Sequence, residues 1–83
     1  MKLRDLMEVS PYIQIELASG RDGRIVAKSR DTLEKYGDVE VLSIHPKIRV
    51  NREGDWALPY LYVFGNARDI DKIKKGGDGN GKS

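Results

Sequence analysis

Residues 56–64 form the most apolar stretch of the chain and read Trp-Ala-Leu-Pro-Tyr-Leu-Tyr-Val-Phe. Side chains that alternate along such a run are typical of a β-strand. One face carries Trp56, Leu58, Tyr60, Tyr62 and Phe64, and the other carries Ala57, Leu61 and Val63. A small single-layer sheet normally leaves one face in water. We therefore expect a helix or a second copy of the chain to cover the other face, and we predict a homo-oligomer. Its interface would contain Trp56, Leu58 and Phe64.

The segments before this strand predict a helix, a hairpin and a second helix. Apolar residues at positions 3, 6 and 7 have helical spacing, and Pro11 disfavours helix at Ser10. Residues 12–18 alternate as in a half-buried strand, and a turn with two glycines follows. Residues 24–29 would form the second strand of this hairpin. Asp31 and Glu34 have capping-box spacing for a short helix, which Gly37 would close in the left-handed conformation.

The segments after that helix predict a second hairpin and a last helix. Residues 39–44 form a β run that His45 and Pro46 interrupt, and residues 47–50 resume the alternation. The strand over residues 56–64 is then the hairpin partner. Asn66 would cap a helix over residues 67–75, with Ile70 and Ile73 facing inward. The fold class is α+β, a mostly antiparallel sheet of four to five strands covered by short helices, in the order α-β-β-α-β-β-α.

Length and composition limit the function classes. The chain has 83 residues, no cysteine and one histidine, which excludes disulfides and thiol chemistry and leaves few zinc ligands. We expect one domain over residues 1–75, no cofactor, no metal site and no enzymatic activity. The longest apolar run is far shorter than the ~20 residues of a spanning helix, and no signal-peptide core is present. We therefore expect a cytoplasmic protein with no membrane partner.

The glycine-rich end matches a nucleotide-binding pattern without its context. Residues 76–83 read Gly-Gly-Asp-Gly-Asn-Gly-Lys-Ser, which fits the phosphate-loop pattern G-x-x-x-x-G-K-S. That motif needs a strand before the loop and a helix after it. Here a lysine-rich helix precedes the motif. We interpret residues 76–83 as a disordered tail.

A catalytic role for His45 is disfavoured. A nucleophile–base–acid triad would need this histidine. Ser43 is two residues away, and on a strand we expect the two side chains about 7 Å apart, beyond hydrogen-bond reach.

The pattern most informative about a binding site is a group of aromatic rings beside basic residues. Tyr60 and Tyr62 share one strand face with Phe64, and Lys47 and Arg49 lie on the predicted hairpin partner. Aromatic rings stack on nucleobases and arginine pairs with phosphates, which favours a nucleotide or nucleic-acid site. The same residue types are enriched at protein interfaces. They would also fit a hydrophobic core covered by the helices. The predicted binding residues are Arg21, Arg24, Arg49, Arg52, Tyr60 and Tyr62. Residues 1–67 hold ten basic and ten acidic groups, so the body is neutral, and a basic face requires residues 21–30 to lie beside residues 47–52.

Part of the chain resembles a class of phage proteins. The opening Lys-Leu-Arg-Asp-Leu of residues 2–6, an Ile-x-Ile strand and the Glu-Val-Leu-Ser-Ile of residues 40–44 are similar to small uncharacterised proteins of phages and prophages of Gram-positive bacteria. The resemblance covers residues 2–46, and the strand over residues 56–64 departs from the shorter members. It implies an accessory phage protein, and such proteins often inhibit host defence. No active-site residues carry over.

These observations predict a non-enzymatic binding protein. The first hypothesis is a phage-type antagonist of a bacterial host defence system, which blocks a host protein or sequesters a small nucleotide signal. The alternative is an accessory protein that binds nucleic acid through the same residues and the helix with Lys72, Lys74 and Lys75.

Overall fold

The structure is a computed structural model that describes residues 1–79. Three helices and four strands follow one another along the chain. They are α1 (Leu3–Val9), β1 (Gln14–Ser19), β2 (Ile25–Ala27), α2 (Arg30–Lys35), β3 (Val41–Val50), β4 (Ala57–Gly65) and α3 (Ala67–Gly79). The predicted α+β class and the order of elements are confirmed, with four strands.

The four strands form one sheet in the order β2-β1-β4-β3. Strands β1 and β2 form one antiparallel hairpin, and β3 and β4 form the other. The hairpins join through β1 and β4, which run parallel from the pair Gln14↔Tyr60 to the pair Ser19↔Gly65. The sheet is therefore mostly antiparallel, as predicted, with one parallel ladder at its centre.

All three helices pack on one face of the sheet. The apolar stripe of α1 is buried, and Leu33 of α2 and Ile70 of α3 join it in one cluster with Ile15, Leu17 and Val63. These three strand residues are at most 2% exposed. Because side chains alternate along a strand, their sequence neighbours lie on the opposite face, which carries no helix.

The predicted N-terminal cap of α3 is confirmed, whereas the predicted end of α2 is wrong. Asn66 caps α3 as predicted, because its side-chain oxygen accepts hydrogen bonds from the N–H groups of residues 68 and 69 at 2.9 and 3.2 Å. At α2 the cap is Ser29, whose Oγ accepts from the N–H of Thr32 at 3.2 Å. The prediction of a left-handed Gly37 is wrong, since only Gly23 and Gly54 have positive φ within residues 1–79.

Strand β3 continues through the predicted interruption. Pro46 pairs with Leu61, and Pro59 of β4 pairs with Ile48. The two pairs are alternate rungs of one antiparallel ladder, so both prolines fall in the same class of pair. In the non-hydrogen-bonded class a missing N–H costs no ladder bond, which explains why the ladder accommodates both prolines.

Helix α3 is longer than predicted. It was expected to end at Lys75, and it extends to Gly79. The remainder of the predicted tail, residues 80–83, lies outside the described residues.

Candidate functional site

The helix-free face of the sheet collects polar and aromatic side chains from three strands. The pairs Lys47↔Tyr60 and His45↔Tyr62 place alternate residues of β3 beside alternate residues of β4. The pair Glu16↔Tyr62 adds β1 on the other side. We call this surface the open face. It consists of Gln14, Glu16, Ser43, His45, Lys47, Arg49, Leu58, Tyr60, Tyr62 and Phe64.

Two cations of β3 lie over two tyrosine rings of β4. The Arg49 guanidinium carbon is 4.7 Å from the centre of the Tyr60 ring, and the Lys47 ammonium is 5.0 Å from the centre of the Tyr62 ring. Each cation sits over the ring diagonal to it, because the residue directly opposite Arg49 is Leu58. Such contacts contribute about 0.5–1 kcal/mol when exposed, so they orient the two cations more than they stabilise the fold.

Arg49 also reaches across β4 to Glu16 on β1. One guanidinium nitrogen donates to the Glu16 carboxylate at 2.8 Å. The Glu16 side chain is 6% exposed, whereas that of Arg49 is 46% exposed. The hydrogen bond and the negative charge of Glu16 raise the pKa of Arg49 above its ordinary value. The guanidinium is therefore permanently charged, with one side on a buried carboxylate and the other towards solvent.

The opposite end of the open face holds an aromatic cluster. Phe64 makes edge-to-face contacts with Tyr62, at 5.1 Å between ring centres, and with His45, at 5.5 Å. The Tyr62 hydroxyl donates to the carbonyl oxygen of Gly23 at 3.0 Å. The turn between β1 and β2 is thereby bonded to the open face, and Tyr62 and Phe64 are only partly exposed there.

The predicted separation of Ser43 and His45 is wrong. His45 Nε2 and Ser43 Oγ are 3.0 Å apart and share a hydrogen bond. Ser43 pairs with Phe64 and His45 with Tyr62, so the two side chains share one face, and the long imidazole side chain spans most of the backbone spacing of about 7 Å. Within residues 1–79, His45 has no further hydrogen bond or ion pair that would orient its ring as an acid does in a triad.

The six predicted binding residues do not form one site. Tyr60, Tyr62 and Arg49 are together on the open face, and Arg52 lies in the turn after β3. Arg21 instead pairs with Asp71 of α3 at 3.0 Å, and Arg24 lies 3.8 Å from Asp22 in its own turn.

The structure also separates the two basic segments of the sequence. Residues 21–30 belong to the β2 edge, and residues 47–52 belong to the β3 edge, so they do not combine into one basic face. Glu16 was not among the predicted site residues. Its position in an alternating strand placed it on the polar face, and nothing in the sequence indicated that it would be buried beneath Arg49.

The hairpin of β3 and β4 extends beyond the rest of the sheet. The β1–β4 ladder begins at Tyr60, so residues 47–59 have no strand beside them on the β1 side. We call residues 47–59 the ribbon. Its large apolar side chains are exposed on both faces: Ile48 by 68% and Val50 by 58%, and on the other face Trp56 by 50% and Leu58 by 49%.

A cleft lies on the helical side of the sheet, between α1 and α2. It measures about 470 Å³ and is lined by Arg4, Glu8, Arg30, Glu34, Lys35 and Asp38, among others. Three cations and three carboxylates balance, and Arg4 is already paired with Asp38. This cleft therefore has no excess charge to select a ligand.

Three further findings concern the whole described chain. No group of three or more metal-ligating side chains within residues 1–79 is arranged to hold a metal ion. None of the helices in that range has the length and apolar character needed to cross a bilayer. Comparison with known proteins finds no matching family model, no matching curated protein and no matching solved structure.

Proposed function

We propose that the chain is a small non-enzymatic binding protein that acts through the ribbon and the adjoining open face. In this proposal it is a phage-type antagonist of a bacterial host defence system, works in the host cytoplasm, and blocks a protein partner. The resemblance of residues 2–46 supports the phage assignment. The exposed apolar side chains of the ribbon are the observation that carries the binding function.

The ribbon has more apolar surface than its own fold covers. Ile48 and Val50 face the helical side of the sheet, yet they are 68% and 58% exposed because the helices end short of them. Burying apolar surface is worth roughly 25 cal/mol per Å², and contiguous exposed patches mark interaction sites. Trp and Tyr are enriched where partners bind, and Trp56 and Tyr60 lie at this end of the sheet.

A second copy of the chain is part of the same proposal. Trp56 and Leu58 are half-exposed, and Phe64 lies farther along the same strand. A homodimer built on these residues would cover the apolar surface without another partner. Light scattering at high micromolar concentration should then show a dimer, and a strict monomer would remove this part of the proposal.

The chemistry of the open face supports the non-enzymatic part of the proposal. Ser43 and His45 form a nucleophile–base pair on an edge strand, but His45 has no orienting acid among residues 1–79. A triad uses that third group to hold the imidazole and stabilise its charged form. We therefore interpret the pair as a surface hydrogen bond.

Nucleic-acid binding is the second candidate, and the position of Lys47 and Arg49 beside two tyrosines favours it. Aromatic strands flanked by cations bind single-stranded nucleic acids by stacking and by phosphate contacts. Such binding weakens steeply with salt. Gel-shift assays with single-stranded oligonucleotides at two salt concentrations test it, and no retardation at low salt rejects it.

The main test compares the native ribbon with an altered one. The Ile48→Ser/Leu58→Ser double variant removes two exposed apolar side chains from the ribbon, and the control Val9→Ser removes one from α1, where Val9 is 74% exposed. Tagged proteins are used to capture ligands from bacterial lysate, with mass spectrometry of proteins and small nucleotides. We expect one protein to be captured by the native chain and by Val9→Ser, but not by the ribbon variant. Identical captures by all three proteins would reject the proposal.

A further inference from the structure

We propose that the open face recognises an acidic, extended protein segment whose carboxylates bind Lys47 and Arg49. This inference rests on the proposed binding function and names the chemistry of the partner. The observations that carry it are two cations held over tyrosine rings, one of which is also bonded to a buried carboxylate, next to the exposed apolar ribbon.

The open face presents positive charge to solvent although its formal charges nearly balance. Its charged groups are Lys47, Arg49 and Glu16, for a formal sum of one positive charge. Glu16 as a whole residue is only 4% exposed, and its carboxylate accepts the hydrogen bond from the Arg49 guanidinium. A partner approaching this surface therefore meets two cations and almost none of the carboxylate.

The two cations are already oriented for binding. Lys47 and Arg49 are two positions apart on one strand, so their Cα atoms are about 7 Å apart. The tyrosine rings hold both side chains, at 4.7 and 5.0 Å. A side chain that is ordered before binding loses less conformational entropy on binding. Glutamates at alternate positions of an extended segment have the same spacing of about 7 Å.

Arg49 has donors left for a second carboxylate. A guanidinium has five N–H donors in a planar fork, and the hydrogen bond to Glu16 involves one terminal nitrogen. Glu16 is then an internal competitor, because it holds part of the charge that the partner would neutralise. Removing the negative charge of Glu16 should strengthen binding of an acidic segment.

A protein segment fits this surface better than a nucleic acid does. A base would have to displace Arg49 or Lys47 to stack on Tyr60 or Tyr62 from the side that the cation covers. Leu58 continues the open face into the ribbon, where aliphatic side chains of a peptide find apolar contacts. Two available cations also give few phosphate contacts, whereas nucleic-acid binders rely on many.

The experiment measures fluorescence anisotropy of a labelled decapeptide of alternating glutamate and valine. The controls are the same peptide with glutamine in place of glutamate, and a ten-nucleotide oligothymidylate. We expect the native chain to bind the glutamate peptide in preference to both. Lys47→Gln should weaken that binding by up to about fivefold, since exposed ion pairs are worth at most about 1 kcal/mol.

Three further variants complete the design. Glu16→Gln should tighten binding of the glutamate peptide severalfold, and Lys35→Gln, an exposed lysine of α2 on the helical side of the sheet, should leave it unchanged. Arg49→Gln leaves Glu16 buried without its partner, so the Glu16→Gln/Arg49→Gln double variant is compared with Glu16→Gln alone. That comparison should show about a tenfold loss, since an arginine–carboxylate contact is charge-assisted.

Three results would overturn the inference: equal binding of the glutamate and glutamine peptides, an effect of Lys35→Gln as large as that of Lys47→Gln, or tighter binding of the oligothymidylate. The proposed function is tested separately. If lysate capture depends on Ile48 and Leu58 while the acidic peptide does not bind, the acidic partner is wrong and the binding function stands.

Discussion

Replacing Gly65 by alanine should destabilise the protein, because the added methyl group has no space at the end of β4. A Cβ atom at this position would lie 2.7 Å from Val39 Cγ1, 3.0 Å from Leu17 Cδ1 and 3.5 Å from Ile70 Cδ1. Gly65 does not have positive φ, so alanine can adopt its backbone conformation. The effect is therefore one of packing.

The size of the effect follows from how little the neighbours can move. Val39 and Leu17 are fully buried and Ile70 is 1% exposed, and the valine side chain has one rotatable bond and few alternatives. Overpacking a core costs about 1–3 kcal/mol. Alanine recovers about 0.4–1 kcal/mol by restricting the unfolded chain. The two ranges combine to a net loss of between about 0 and 2.6 kcal/mol. Because two buried side chains would lie within 3.0 Å of the new Cβ, we expect about 1–2 kcal/mol, or a decrease in Tm of about 4–16 °C for a domain of this size.

Urea unfolding followed by circular dichroism and by the emission of Trp56 measures this loss. Val39→Ala removes the closest contact, so Gly65→Ala should cost less in that background than in the native chain. Gly54→Ala is the control. Its φ of +73° makes alanine unfavourable, but no atom lies within 4 Å, so Val39→Ala should not change its cost. Equal costs of Gly65→Ala in both backgrounds, or a Gly65→Ala variant as stable as the native chain, would refute the packing argument.

Three further predictions concern single contacts. Asn66→Ala should lower the free energy of unfolding by about 1 kcal/mol through loss of the α3 cap, measured by thermal unfolding. Tyr62→Phe should cost about 0.5–1.5 kcal/mol in urea unfolding, because the Gly23 carbonyl loses its donor while the ring stays. Arg49→Ala should destabilise more than Glu16→Gln in the same assay, since it leaves a buried carboxylate unpaired whereas Glu16→Gln leaves a half-exposed cation. The reverse order would contradict the assigned burial.

Local patterns were sufficient to predict the elements of this fold. The apolar spacing of α1, the alternation of β1 and the asparagine before α3 each reflect interactions within a few residues. The hairpin of β3 and β4 was also predictable, together with the position of Lys47 and Arg49 beside the tyrosines.

Features that depend on distant contacts were not predictable. The parallel pairing of β1 with β4 joins the two hairpins, and no local pattern specifies it. This pairing, with β2 outside β1, puts Arg21 and Arg24 far from the β3 edge, and it brings Glu16 within reach of Arg49. The Ser43–His45 hydrogen bond depends on the side-chain conformation of His45, which a spacing of two positions along a strand does not specify.

The parallel ladder also determines how the chain must fold. Each hairpin joins residues close in sequence, but every pair between β1 and β4 joins residues 46 positions apart. Closing so long a loop is slow compared with forming a hairpin. The two hairpins should therefore form early, and their docking should be the rate-limiting step. Mutations at their junction, such as Leu17→Ala, will then slow refolding more than mutations at the tip of the second hairpin.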